Sequence, residues 1–82
     1  MKVRLFAALR DLAGTSELQW PEDPADVGTL LDGLAAKFGS EFERIAAAGS
    51  VVVDGGRADR ATALSPDMEI AVLPPVSGGT GG

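Results

Sequence analysis

Apolar and polar positions alternate from the first residues of the chain. Val3 and Leu5 interleave with Arg4 and Phe6, a period of two that predicts a strand. The pattern then changes. Ala8, Leu9, Leu12 and Ala13 recur at spacings that suit one short helical segment, and Gly14 stands where a left-handed C-terminal stop belongs. Alternation returns from Glu17 to Trp20, with Leu18 and Trp20 on one face, and Pro21 and Pro24 bracket the acidic loop that ends this second strand. The strongest helical signal follows. Val27, Leu30, Leu31, Leu34 and Phe38 fall at i, i+3, i+4, i+7 and i+11, a single apolar stripe. Asp26 is placed as its N-cap and Gly39 as its stop. Gly28 and Gly33 each weaken this helix by about 1 kcal/mol relative to Ala, so packing must hold it. Phe42 and Ile45 predict a second short helical segment that covers the core.

Val51-Val52-Val53 predicts a strand that enters a tight turn at Asp54-Gly55, a dipeptide suited to a two-residue hairpin. Leu64-Ser65-Pro66-Asp67 reads as a turn. Met68, Ile70 and Val72 alternate with Glu69, Ala71 and Leu73 in a last strand, which Pro74-Pro75 ends because proline donates nothing to a ladder. The order is therefore strand, short helix, strand, long helix, short helix, strand, strand, tail. One mostly antiparallel sheet with a helix on one face is an α+β arrangement. The pattern predicts one domain over residues 1–75, with no internal repeat, and a linker-like, flexible tail over residues 76–82.

Composition narrows the chemistry. A chain of 82 residues carries one small core. No apolar run approaches the roughly 20 residues of a membrane span, and Met1 to Phe6 enters folded structure at once, which predicts a cytoplasmic protein. A net charge of −5 disfavours nucleic acid and favours partners with basic docking surfaces. The chain has no Cys and no His. Thiolate nucleophiles, iron–sulfur clusters and thiolate zinc sites are thereby excluded, and the commonest general base is missing. The carboxylates Asp11, Glu22, Asp23, Asp26 and Asp32 sit at turn and helix-surface positions and read as a solvated face, so no metal site is expected. Any chemistry should lie at the tail, inside a partner's active site.

That tail runs Val76-Ser77-Gly78-Gly79-Thr80-Gly81-Gly82. A carboxyl end without side chains threads a narrow channel, because nothing projects at Cα and glycine accepts almost any φ/ψ. This is useful when the terminal carboxylate is the reacting group. An inert flexible linker has the same composition.

The residues that precede the tail resemble a known family. Lys2-Val3-Arg4-Leu5-Phe6-Ala7, then Leu9-Arg10-Asp11-Leu12-Ala13-Gly14, are similar to the opening of the small subunit of molybdopterin synthase, the MoaD family. Val51 to Gly55, Leu64 to Ile70 and Leu73-Pro74-Pro75-Val76-Ser77-Gly78-Gly79 match its second half in order, with a loose stretch from Ser40 to Ser50. The resemblance implies a ubiquitin-like β-grasp, a mixed sheet packed against one main helix, with the last strand beside the first. It also implies a sulfur carrier. The terminal glycine is adenylated by a MoeB-like enzyme related to ubiquitin-activating enzymes, which uses ATP, and is then converted to a thiocarboxylate. The tail enters the MoaE-like large subunit and donates sulfur to cyclic pyranopterin monophosphate. No bound cofactor is implied for the carrier itself. The family pattern ends at Gly79, whereas this chain continues Thr80-Gly81-Gly82. Gly82 is the expected reacting end, because the extension recreates Gly-Gly. A trimmed Gly79 is the alternative. Seven residues beyond Pro75 reach at most about 25 Å, enough for a buried site.

With the first and last strands adjacent, Val3, Leu5, Ile70 and Val72 face the core. Arg4, Phe6, Glu69, Ala71 and Leu73 then share the outer face, where Arg4 and Glu69 are placed to pair. Phe6 and Leu73 form an apolar patch beside the tail exit. With Pro75, Val76, Gly78, Gly79 and Gly81 they make up the expected partner-binding residues, although scattered surface apolar residues are also common. Three other functions stay open: a sulfur carrier for thiazole, cysteine or tRNA thiolation, a ubiquitin-like modifier that forms isopeptide bonds, and an interaction module with an inert tail.

Overall fold

The computed structural model describes residues 1–75. The elements run β1 (Lys2–Leu5), α1 (Ala7–Ala13), β2 (Glu17–Gln19), α2 (Val27–Phe38), α3 (Ser40–Ala48), β3 (Ser50–Val53), β4 (Gly56–Ala58) and β5 (Glu69–Leu73). The sheet order is β2-β1-β5-β3-β4. β1 and β5 pair in parallel, and the other three pairs are antiparallel. Last strand beside first, with helices on one face, is the α+β, ubiquitin-like β-grasp that the sequence predicts.

One strand was not counted from the sequence. The chain reverses at Asp54 (φ 49°) and Gly55 (φ 85°), the doubly left-handed two-residue turn that suits a twisted hairpin. β4 returns antiparallel along β3 with Val53 opposite Gly56. Its three residues, Gly-Arg-Ala, carry no apolar alternation, so only the turn betrays it. The hairpin tip is tied to β5, because Asp54 N–H donates to the Glu69 carbonyl (2.9 Å) and Glu69 N–H donates to Asp54 Oδ1 (2.8 Å).

The core lies between sheet and helices. Val3, Leu5, Ile70 and Val72 from the two central strands meet Leu9, Val27, Leu30, Leu34 and Phe42, all essentially without solvent contact. Burial of each such side chain contributes about 1.5–3 kcal/mol of transfer free energy. Phe38 lies against Phe42 with ring centroids 5.2 Å apart, which joins α2 to α3 across the Gly39 corner (φ 102°). The two glycines of α2 have packing reasons. A Cβ at Gly33 would stand 2.7 Å from Cζ2 of Trp20, and one at Gly28 would stand 3.2 Å from Arg60.

The start of α2 is closed twice. Asp26 accepts from Thr29 N–H and from Thr29 Oγ1, each at 2.8 Å, and these bonds hold its carboxyl below the usual value. The amides of Val27 and Gly28 donate to the carbonyls of Thr62 (3.0 Å) and Arg60 (2.9 Å). Helix-terminal donors that would otherwise need water are thus satisfied by the loop before β5.

Candidate functional site

The expected site lies where β5 delivers the chain to its tail. Parallel pairing sets Leu5 beside Val72, and one further step of that register carries Phe6 alongside Leu73. Leu5 and Val72 point into the core, so Phe6 and Leu73 share the outer face. Phe6 is 39% exposed and Leu73 is half-buried. Phe6 keeps this position because its backbone serves a different element. It is extended (φ −127°, ψ 148°) and caps α1, its carbonyl accepting from Leu9 N–H at 3.1 Å. Ala7 then takes φ 51°, a left-handed value rare outside glycine, and turns the chain from the strand into the helix.

The rest of the outer face follows from the alternation of the strands. Arg4 and Glu69 pair at 3.5 Å, as expected, and Lys2 and Glu17 pair at the same distance. All four side chains are about half exposed, so each pair contributes under about 1 kcal/mol and serves mainly to order the surface. The Arg4 guanidinium lies 5.9 Å from the centre of the Phe6 ring, a cation–π distance that orients the ring. Val52 pairs with Ala71 and Ser50 with Leu73. Val52 therefore joins Ala71, Leu73 and Phe6 in one apolar strip bounded by paired charges. Its membership is missed in a run of three valines, and only the period of two separates it from buried Val51.

The tail leaves this strip through Pro74, half-buried, and Pro75, exposed. Gly49 sets the geometry of the exit. A Cβ at position 49 would overlap the Leu73 carbonyl oxygen and crowd Pro74, so glycine lets the end of α3 pass behind the end of β5. Nothing in the sequence pattern marks this contact. Of the sequence-predicted site residues, the structure brings Phe6, Leu73 and Pro75 to one end of the sheet. Val76, Gly78, Gly79, Gly81 and Gly82 lie outside the described residues.

Within residues 1–75 the chemistry is sparse. No group of three or more carboxylates there is arranged to hold a metal, and no helix there is long and apolar enough to cross a membrane. No buried side-chain polar atom there lacks a hydrogen-bond partner. The arrangement presents an apolar strip at the end of the sheet where Leu73 leads into Pro74 and Pro75.

Comparison with known proteins agrees with this geometry. Residues 3–79 match the model of the ThiS family. The chain is 32% identical to small archaeal modifier protein 3 of Haloferax volcanii, across 96% of this chain and 98% of the relative. Among solved structures, small archaeal modifier protein 1 from Methanosarcina acetivorans superposes with a TM-score of 0.79 at 32% identity, covering 95% of this chain and 94% of that one. A chain of the complex of subunits 1 and 2 of molybdopterin-converting factor from Helicobacter pylori shares the fold, with a TM-score of 0.63 at 20% identity over 95% of this chain and 96% of that one. The chain belongs to the ThiS family, the ubiquitin-like small proteins that serve as sulfur carriers and protein modifiers.

Proposed function

We propose that this protein is the sulfur-carrying small subunit of a molybdopterin synthase, with its C-terminal glycine as the reacting group. The observation that carries the proposal is the match of residues 3–79, including Gly78-Gly79, to the ThiS family on a β-grasp body, in a chain that lacks Cys and His. A sulfur carrier without a thiol must hold sulfur elsewhere, and a terminal thiocarboxylate is the place this chain offers. The carboxylate oxygen attacks the α-phosphate of ATP in an activating partner of the MoeB type, and pyrophosphate leaves. A reduced sulfur donor then displaces AMP from the acyl carbon and leaves a thiocarboxylate. In the second partner, a large subunit of the MoaE type, the sulfur passes to cyclic pyranopterin monophosphate and water restores the carboxylate. The body contributes no proton transfer to any of these steps. It holds the exit strand at Gly49 and offers the strip of Phe6, Val52, Ala71 and Leu73 for docking. The strip's most exposed member, Phe6, is aromatic, a type favoured at interface centres. The Helicobacter pylori neighbour is solved together with its subunit 2, which supports a large-subunit partner of this kind.

The similarity to a small archaeal modifier protein favours a second reading, in which the same acyl-adenylate is captured by a lysine amine to give an isopeptide bond. One experiment separates the two. The purified chain is incubated with ATP, a sulfide source and an activating enzyme of this type, and its intact mass is recorded. Exchange of one oxygen for one sulfur, followed by molybdopterin formation when large subunit and pyranopterin are added, supports the carrier. Lysine-linked conjugates without sulfur gain support the modifier and reject the carrier.

A further inference from the structure

The hairpin edge of the sheet is open. β4 pairs with β3 on one side, and among the described residues no strand lies on the other. Beside this edge is a cleft of about 250 Å³ between the hairpin and the helices. Val27 and Leu31 of α2, Ala46 and Ala47 of α3 and Ala58 of β4 give it an apolar lining. The volume falls below the roughly 300–1,000 Å³ of small-molecule pockets, and it suits one bulky side chain better than a cofactor. A free strand edge above a cleft of this size is what strand addition uses. Main-chain hydrogen bonds supply affinity, and alternate side chains supply specificity.

Alternation along β4 states what such a strand would carry. Ala58 pairs with buried Val51, so a residue opposite Ala58 faces the cleft. Arg57 pairs with Val52 on the outer face, so the neighbouring residue of the added strand stands beside its guanidinium. Lys2, Arg4, Arg10, Arg44 and Arg60 each have a carboxylate within 4 Å; among the described residues Lys37 and Arg57 have none, and of these two only Arg57 lines the cleft, where it reaches Ser50 Oγ at 3.4 Å. Arg60 forms a fixed wall, bonded to Asp32 at 2.9 Å and to the Gly28 carbonyl at 3.4 Å. The net charge of −5 repels acidic partners at a distance, so a single carboxylate fits here and a run of them does not. A second copy is disfavoured, because antiparallel pairing of two β4 edges about Arg57 would set two guanidinium groups opposite each other.

We infer that the β4 edge and its cleft form a second docking surface, which meets the tail exit only at the Gly49-Ser50 end of the cleft. It takes an extended segment of a partner protein that places one bulky aliphatic side chain into the cleft and one carboxylate beside Arg57. The inference does not depend on which tail chemistry the protein performs.

The test is a titration of the isotope-labelled full chain with acetyl-Thr-Val-Glu-Leu-Thr-Val-amide, and with the same peptide carrying Lys in place of Glu. The amides of Gly56, Arg57 and Ala58 and the methyls of Val27 and Leu31 should shift saturably below about 1 mM peptide, with Lys2 and Phe6 unmoved. The Lys peptide should bind roughly tenfold more weakly, about 1.4 kcal/mol. Arg57→Glu should reverse that preference, an outcome that a merely structural role for Arg57 does not produce. Ala47→Phe, which fills the cleft from an exposed position, should abolish binding of both peptides. The inference is overturned by any of three results: no saturable shift at β4, a peptide preference unchanged by Arg57→Glu, or association of the free chain with itself through β4.

Discussion

Gly49 backs onto the carbonyl of Leu73 so closely that a Cβ at position 49 would overlap the oxygen. The backbone at Gly49 is not left-handed (φ −95°), so other residues could adopt it, and the need for glycine there is purely one of space. The relationship ties the end of α3 to the last residue of β5, two residues before the exposed Pro75. The path of the chain through Leu73 and Pro74 is thereby set by a contact far away in sequence.

Gly49→Ala should accordingly destabilise the fold by about 1–3 kcal/mol, the range for forcing extra volume into a packed region. Urea melts give the magnitude. Amide shifts at Ser50 and Leu73, which pair across β3 and β5, should report the displaced exit strand. A variant as stable as the parent, with those shifts unchanged, would contradict the tight approach.

Gly33 poses an opposite balance, because the side chain it would meet is the far edge of an indole. Ala in place of Gly within a helix gains roughly 1 kcal/mol, while a Cβ 2.7 Å from Trp20 Cζ2 forces the ring to move. Gly33→Ala is therefore expected to be neutral or destabilising in the parent. In a Trp20→Ala background it should be stabilising by about 1 kcal/mol. The four melts form a double-mutant cycle, and zero coupling would show that the two positions do not meet.

Adjacent residues of β1 and its extension should behave in opposite ways. Leu5 is 1% exposed, and Leu5→Ala should cost about 2–5 kcal/mol as a core truncation. Phe6 is 39% exposed, and Phe6→Ala should change stability by less than about 1 kcal/mol while weakening binding to a MoaE-like large subunit. Calorimetric titration beside urea melts separates the two effects. Unchanged binding by Phe6→Ala would remove the apolar strip from the partner surface.

How much of this was legible beforehand depends on the range of the determining interaction. The alternation of Val3, Leu5, Ile70 and Val72 names four core residues because period-two patterning is local and survives any tertiary arrangement. Asp26, Gly14 and Asp54-Gly55 are equally local, and each adopts the cap or turn its chemistry demands. β4 was illegible because an edge strand of three residues buries too little to need apolar alternation. Leu12, in the apolar pattern of α1, proves 39% exposed, since a helix of seven residues presents one narrow stripe to the core and Leu9 fills it. The reasons for Gly28, Gly33 and Gly49 lie in partners distant in sequence, and no window along the chain contains them. At the site, the outer-face placement of Phe6 and Leu73 followed from the strand alternation, whereas the membership of Val52 and the exit geometry did not.

The cap of α2 gives a pH dependence with a definite sign. Hydrogen bonds from Thr29, backbone first and hydroxyl second, lower the pKa of Asp26 below its ordinary 3.8. A group whose folded pKa is depressed stabilises fully above the unfolded value, and the contribution fades as pH falls from about 3.8 through the lowered native value. The difference in urea midpoint between the parent and Asp26→Ala should therefore be constant near neutrality and shrink below pH 3.8. A difference that grows on acidification would mean that the carboxylate is not the bonded form.

The last expectation concerns the chain end. A carboxylate that must reach the α-phosphate of ATP through a channel shaped for glycine tolerates no Cβ, so a bulky residue at Gly82 should block thiocarboxylate formation or transfer. Thermal melts should not change, because Val72 is the last buried core residue among the described residues. Removal of Gly81-Gly82 leaves a Thr80 carboxylate and should be as inactivating. Truncation after Gly79 is the decisive comparison, read by intact mass and sulfur transfer. Loss of activity in that form places the reacting end at Gly82, as the recreated Gly-Gly suggests. Full activity of the shorter chain, with the longer one inert until trimmed, places it at Gly79. Equal activity of both makes the extension a tolerated addition with no mechanistic role. If neither form gains sulfur where an established carrier does, the carrier function fails, and the apolar strip must serve an interaction that does not involve the tail.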